Sequence, residues 1–141
     1  MKTIKKELLI IGLITGMILI PTVSSQTTET TTIEFIDIRG GLGGVTVDIT
    51  NTGEITANDL IVTITISGGF FNTIDLTKEC TGCGVGGANL EPGEVKSKGT
   101  LGAGTLLGIG PIQITASAEA SNADEIFLEA SGFILGVFVI L

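Results

Sequence analysis

From about residue 33 onward, apolar positions recur with a period of two, not 3.6. In "VTVDIT", Val45, Val47 and Ile49 share one side and Thr46, Asp48 and Thr50 the other. "LIVTITIS" sets Leu60, Val62, Ile64 and Ile66 against Ile61, Thr63, Thr65 and Ser67. "PIQITASAEA" sets Ile112, Ile114, Ala116 and Ala118 against Gln113, Thr115, Ser117 and Glu119. Alternation sustained this long marks half-buried antiparallel strands. The abundance of Ile, Val and Thr fits, because branched side chains suit a pleated surface. Between the runs lie "NTGEITAND", "SGGFFN", "NLEPGE" and "SNADE". These are turn chemistry: Gly supplies positive φ, Asn and Asp bond their own backbone, and Pro presets φ. No window carries a helical stripe. The pattern predicts about seven strands, near 33–38, 44–50, 59–67, 72–77, 94–100, 111–119 and 125–140. Short strands at this spacing predict an all-β, immunoglobulin-like antiparallel β-sandwich over 33–141. In "EVKSKGT", Lys96 and Lys98 are expected to face solvent opposite Val95 and Ser97, protecting a sheet edge.

The chain closes on "FILGVFVIL", nine residues from Phe133 without a polar side chain. As a helix it rises only about 13 Å, against roughly 30 Å of hydrocarbon in a bilayer. As a strand it reaches about 30 Å, with Gly132 and Gly136 permitting a bulge or bend. The expectation is a terminal strand paired within the domain. Both its faces are apolar, so one needs a cover: the "GGFF" loop, a partner subunit or lipid. Phe133, Leu135, Val137 and Phe138 are therefore the candidate interaction surface.

The other end changes the picture of compartment. Lys2, Lys5 and Lys6 precede an apolar run from Leu8 to Ile20, then Pro21 and small residues to Ser25. That order predicts a secretory signal peptide over 1–25, helical up to Pro21, with cleavage before Gln26. The alternative is an uncleaved segment that holds the chain to the membrane. "QTTETTT" at 26–32 reads as a polar, extended lead. The expected location is secreted or at the cell surface.

The formal charge is −8 over 141 residues. Without residues 1–25, 14 acids face 4 bases, about −10. Such a surface repels phosphate backbones, which argues against nucleic acid. The chain has no His, Trp or Tyr. Nucleophilic systems built on histidine are thereby excluded, as is the commonest transition-metal ligand. "RGGLGG", Arg39 to Gly44, precedes a strand rather than a helix, so it reads as a turn or bulge and not a nucleotide site. "GLGGVTV" and "GIGPIQI" share a Gly-apolar-Gly pattern, too short for a repeat.

The order "VTVDITNTGEITANDLIVTITISGG" followed by "LEPGE" resembles the CARDB-like and related immunoglobulin-like modules of archaeal and bacterial surface proteins. The matching positions are Asn51 with Gly53, Ala57 with Leu60 to Ile66, and Leu90 with Pro92 and Gly93. The resemblance implies a β-sandwich over about 33–141 and an adhesion or spacer role outside the cell. Those modules often sit in long multidomain chains, and here there is one copy.

Cys80 and Cys83, in "CTGC", are the only cysteines. In an exported chain they are expected to form a small loop disulfide. A redox dithiol and an intermolecular or metal role are the alternatives. Asn51, Glu54, Asn58 and Asp59, and the "NADE" run from Asn122 to Glu125, offer oxygen to a hard cation, but turn formation accounts for the same residues. No catalytic residue, metal site or cofactor is assigned. The functional expectation is a non-catalytic surface module for adhesion, binding or spacing, whose partner is another protein or a second copy. The alternatives are a structural subunit of a surface layer or filament, and a small exported thiol protein.

Overall fold

A computed structural model of the chain describes residues 29–81 and 88–141. The expected signal segment 1–25 and Cys83 lie outside the described residues. Among the described residues there are eight strands: β1 Ile33–Gly41, β2 Gly44–Asn51, β3 Ile61–Gly68, β4 Ile74–Thr81, β5 Val95–Gly99, β6 Gly108–Ala120, β7 Ala123–Gly136 and β8 Phe138–Ile140. They form two antiparallel sheets, β1-β2-β5 and β4-β3-β6-β7-β8. The architecture is the predicted β-sandwich.

The period-two reading of β2, β3 and β6 is correct. Val45, Val47 and Ile49 face Val62, Ile64, Ile66, Ile112 and Ile114 in one buried core. Their partners on the far side of each strand stay wholly or partly exposed, apart from Asp48, which is buried by Arg39 and Ser97. On the outside of the larger sheet, Thr65 and Thr77 sit directly opposite and share a hydroxyl hydrogen bond of 3.0 Å.

Two expectations are corrected. The first is β5. Val95 is exposed, while Lys96 and Lys98 are only 6% and 3% exposed. Directly opposed residues in a ladder share a face. Lys96 lies opposite Ile49 and Lys98 opposite Val47, so both lysines point inward with that apolar row. Lys96 extends its ammonium to the Asn89 carbonyl and lies 3.7 Å from Glu94. Long stems of this kind cover apolar surface while the charge reaches polar groups at the rim. Burial, then repulsion from Lys96, holds the Lys98 ammonium below the usual lysine range, against the pull of Glu94. β5 is the edge of its sheet, and an inward charge is itself a device against edge pairing.

The second correction is the C-terminus, which is not one long strand. The chain reverses at Gly136, whose φ of +66° favours a residue without Cβ. β8 then folds back along β7, Leu135 opposite Phe138 and Phe133 opposite Ile140. This raises the count from about seven strands to eight.

The turn of that hairpin also ties the two sheets together. The Gly43 amide donates to the Val137 carbonyl at 2.7 Å, and Leu42 bridges Phe138. β8 passes so near β1 that a Cβ on Gly40 would strike the Val139 carbonyl. At the opposite end of β7, Thr31 bridges Ala123 and its amide donates to the Asn122 carbonyl at 2.8 Å. Thr31 and Thr32, expected within the polar lead, are thus bound into the sandwich.

Candidate interaction surface

The outer face of the five-stranded sheet is built from alternate residues of β6, β7 and β8. Nearer the β6–β7 turn an exposed Phe127 lies opposite Ser117; along its middle the face is polar, with Thr115 opposite Glu129 and Gln113 opposite Ser131. One step further the chemistry changes. Pro111, Phe133 and Ile140 form one cross-strand row, and Ile109, Leu135 and Phe138 the next. Ile109, Leu135, Phe138 and Ile140 are each more than half exposed. Between them Ile134 and Val139 point the other way, into the core.

The β3–β4 connection closes one side of this patch. The Gly69 amide donates to the Pro111 carbonyl at 2.7 Å, which holds a single 3-10 turn, Phe70–Asn72, over the start of β6. Phe70 meets Phe133 edge to face, with centroids 6.4 Å apart and planes at 81°. The "GGFF" loop therefore covers the patch in part. Phe71 does not join it: the side chain is 97% exposed. Beside it runs an apolar groove of about 490 Å³, lined by Phe70, Phe71, Leu107, Ile109, Gly136 and neighbours. A more polar depression of about 580 Å³, bordered by Ser67, Asn72, Asp75 and Gln113, lies on the other side of the turn.

Of the four residues named from the sequence, Phe133, Leu135 and Phe138 come together on this face. Val137 occupies the β7–β8 turn, half-buried, with its carbonyl held by Gly43. Sequence reasoning missed Ile109 and Phe71 as members of the surface. Ile109 was legible as an apolar residue in phase with Gln113 and Thr115; the protrusion of Phe71 had no sequence signal.

The two turns considered for a cation are occupied by their own hydrogen bonds. Asn51 is fully buried. Its Oδ1 accepts from the Thr31 hydroxyl at 2.8 Å and the Gly53 amide at 2.9 Å, and its Nδ2 donates to the carbonyls of Ile55 and Leu90 at 2.7 and 2.9 Å. Asn122 accepts from the Asn58 amide and donates to the Thr56 carbonyl, both at 2.9 Å. Among the described residues no three His, Cys, Asp or Glu side chains gather as a metal group. On the smaller sheet, Arg39 lies 2.8 Å from Asp48 and 3.1 Å from Asp37, and the Ser97 hydroxyl donates to Asp48 at 2.5 Å. Cys80 is buried at the end of β4.

No family model matches the chain, and no curated protein does either. Among solved structures, a β-glucosidase from Erythrobacter marinus is 18% identical over 74% of this chain, with a TM-score of 0.42. This chain spans only 16% of that enzyme's length. An ApaA protein from Bordetella pertussis is 19% identical over 77% of this chain and 96% of its own, with a TM-score of 0.43. Likenesses this distant carry no statement about activity.

Proposed function

We propose that this chain is a non-catalytic module exported to the cell surface, of the CARDB-like, immunoglobulin-like type, and that it works by contact through the apolar end of its larger sheet. The observation that carries the reading is the abrupt change along one sheet face, from Gln113 and Ser131 to the rows around Phe133 and Leu135. A soluble monomer rarely shows a contiguous apolar patch beyond roughly 300–600 Å² unless something binds there. Export rests on the order basic, apolar, small over residues 1–25. In an oxidising compartment Cys80 and Cys83, the two cysteines of the chain, are expected to pair as a disulfide. A structural subunit of a layer or filament is the second reading. It is favoured by the separation of Thr31, at the Ala123 end of β7, from the apolar rows at the Gly136 end.

The experiment is shaving of intact cells that express the full chain with a broad-specificity protease, which has exposed apolar sites at Phe71 and Leu101 outside the strands, with N-terminal sequencing of the untreated product. The expected result is loss of the chain from intact cells and a terminus near Gln26. A chain that keeps Met1 and is protected until the cells are lysed refutes the reading. Thiol titration without reductant should find no free thiol per chain; two would refute the disulfide.

A further inference from the structure

Phe71 is the most exposed large apolar residue among those described, at 97%. It is also held in a backbone conformation that aromatic residues rarely adopt, with φ +67° and ψ +19°. Asn72 follows at φ +52°. Strained positions of this sort persist where surrounding structure imposes them, and they cluster at binding sites. Here the imposing contacts are the Gly69 amide on the Pro111 carbonyl, the Asn72 amide on the Gly69 carbonyl and the Thr73 hydroxyl on the Phe70 carbonyl. The turn lifts one ring clear of its own molecule. Immediately beside the ring lies the groove, whose lining includes Gly108 and Gly136; a Cβ on Gly136 would meet nothing within 4 Å, so that position leaves the groove open. Knob and hole thus sit side by side on one face.

That arrangement is self-complementary. A two-fold contact requires that residue i of one copy meet j of the other while j meets i. We propose that two copies of this chain pair across this face about a two-fold axis, each Phe71 ring seated in the other's groove between Phe70, Leu107 and Ile109. The area is sufficient. Phe70, Phe71, Phe133 and Phe138 are 55%, 97%, 38% and 54% exposed, which at roughly 200 Å² for a phenylalanine is about 500 Å² of ring surface. Leu107, Ile109, Leu135 and Ile140, each more than half exposed, bring the face to about the 800 Å² per partner of a standard interface. Charge selects the same occupant. No charged side chain lies in the two apolar rows or the groove, so this is where two copies of an acidic chain meet with least repulsion. An anionic bilayer finds no cluster of bases here. The chain also lacks the Trp and Tyr that favour membrane interfaces.

This inference rests on the surface-contact reading and names its partner. The test is sedimentation equilibrium of the full chain across the micromolar range, beside Phe71→Asn and Phe71→Asp. Asn accepts the left-handed backbone, so its folded monomer is expected to keep the wild-type circular dichroism. The expected result is a wild-type dimer that high salt tightens and that both substitutions weaken at least about tenfold, as for an interface anchor. A wild-type monomer overturns the proposal, as does a dimer indifferent to residue 71. Flotation with neutral phosphatidylcholine vesicles is the second arm: monomers that float in a Phe71-dependent way assign the face to lipid and overturn the pairing. None of these failures touches the surface location, which protease shaving tests separately.

Discussion

Asn51 uses every hydrogen-bonding position of its side chain, and its four bonds tie together three segments: the residues before β1, the turn after β2, and the loop before β5. No other side-chain type supplies two acceptor sites and two donors in that space. Asn51→Leu takes the side-chain donor from the Ile55 carbonyl and one of two donors from the Leu90 carbonyl, which keeps the Ala57 amide, and is expected to destabilise the fold by about 3 kcal/mol or more. Urea unfolding measures it, with the neighbouring exposed Thr52→Ala as a control expected within about 0.5 kcal/mol. Lys98 gives a prediction in pH. Its folded pKa lies below the 10.5 of a free lysine because burial, and next Lys96, oppose its charge. The unfolded chain therefore binds more protons between the two values. Stability contributed by Lys98 rises as pH climbs through that window and levels off above 10.5. The chain has no tyrosine to titrate alongside. Thermal melts on the alkaline side should show this rise in the wild type and lose much of it in Lys98→Met.

At the scale of elements, the terminal hairpin divides its apolar residues between core and surface. Val139 is 5% exposed and Ile140 56%. Val139→Ala is expected to cost about 1–3 kcal/mol, and Ile140→Ala within about 0.5 kcal/mol, by denaturant melts at dilute protein. Equal effects would contradict the phase of β8. Strand phase was readable wherever polar and apolar residues alternated, as in β2, β3 and β6. It was not readable in β8, because residues 133–141 offer no polar residue to mark the outer side, and Gly136 alone signals the turn. In β5 the local rule that lysine faces water gave the wrong side. What decides is a register with Val47 and Ile49, about fifty residues away, and no short window contains that. The contact surface was legible in part for the same reason: Phe133, Leu135 and Phe138 were visible as apolar excess. The loop that brings Phe71 beside Ile109 depends on a tertiary hydrogen bond from Gly69 to Pro111.

Taken whole, the molecule carries its charge unevenly. The polar faces hold most of 14 acids in 26–141, and the few bases gather on β1, β4 and β5. Self-repulsion at about −10 opposes the compact state, and salt screens exposed charges over about 8–10 Å at physiological strength. The thermal midpoint is therefore expected to rise by several degrees between low and high sodium chloride, as about 1–2 kcal/mol of relieved repulsion would do in a domain of this size. Circular dichroism melts at dilute protein measure it; a midpoint that falls with salt would show that ion pairs such as Arg39 with Asp48 dominate instead.

The placement of those bases has a practical consequence for resistance to proteolysis. Residues 26–141 contain four sites for a trypsin-like protease, Arg39, Lys78, Lys96 and Lys98, and all four lie inside strands. Lys78 is further held by the Leu101 carbonyl at 2.7 Å, and Lys96 and Lys98 are turned inward. Such a protease must draw about ten residues of extended chain into its cleft, which here means stripping a strand from its sheet. Digestion by such a protease is then governed by how often the sandwich opens, and the rate of cutting at these four sites reports the stability of the strands that hold them.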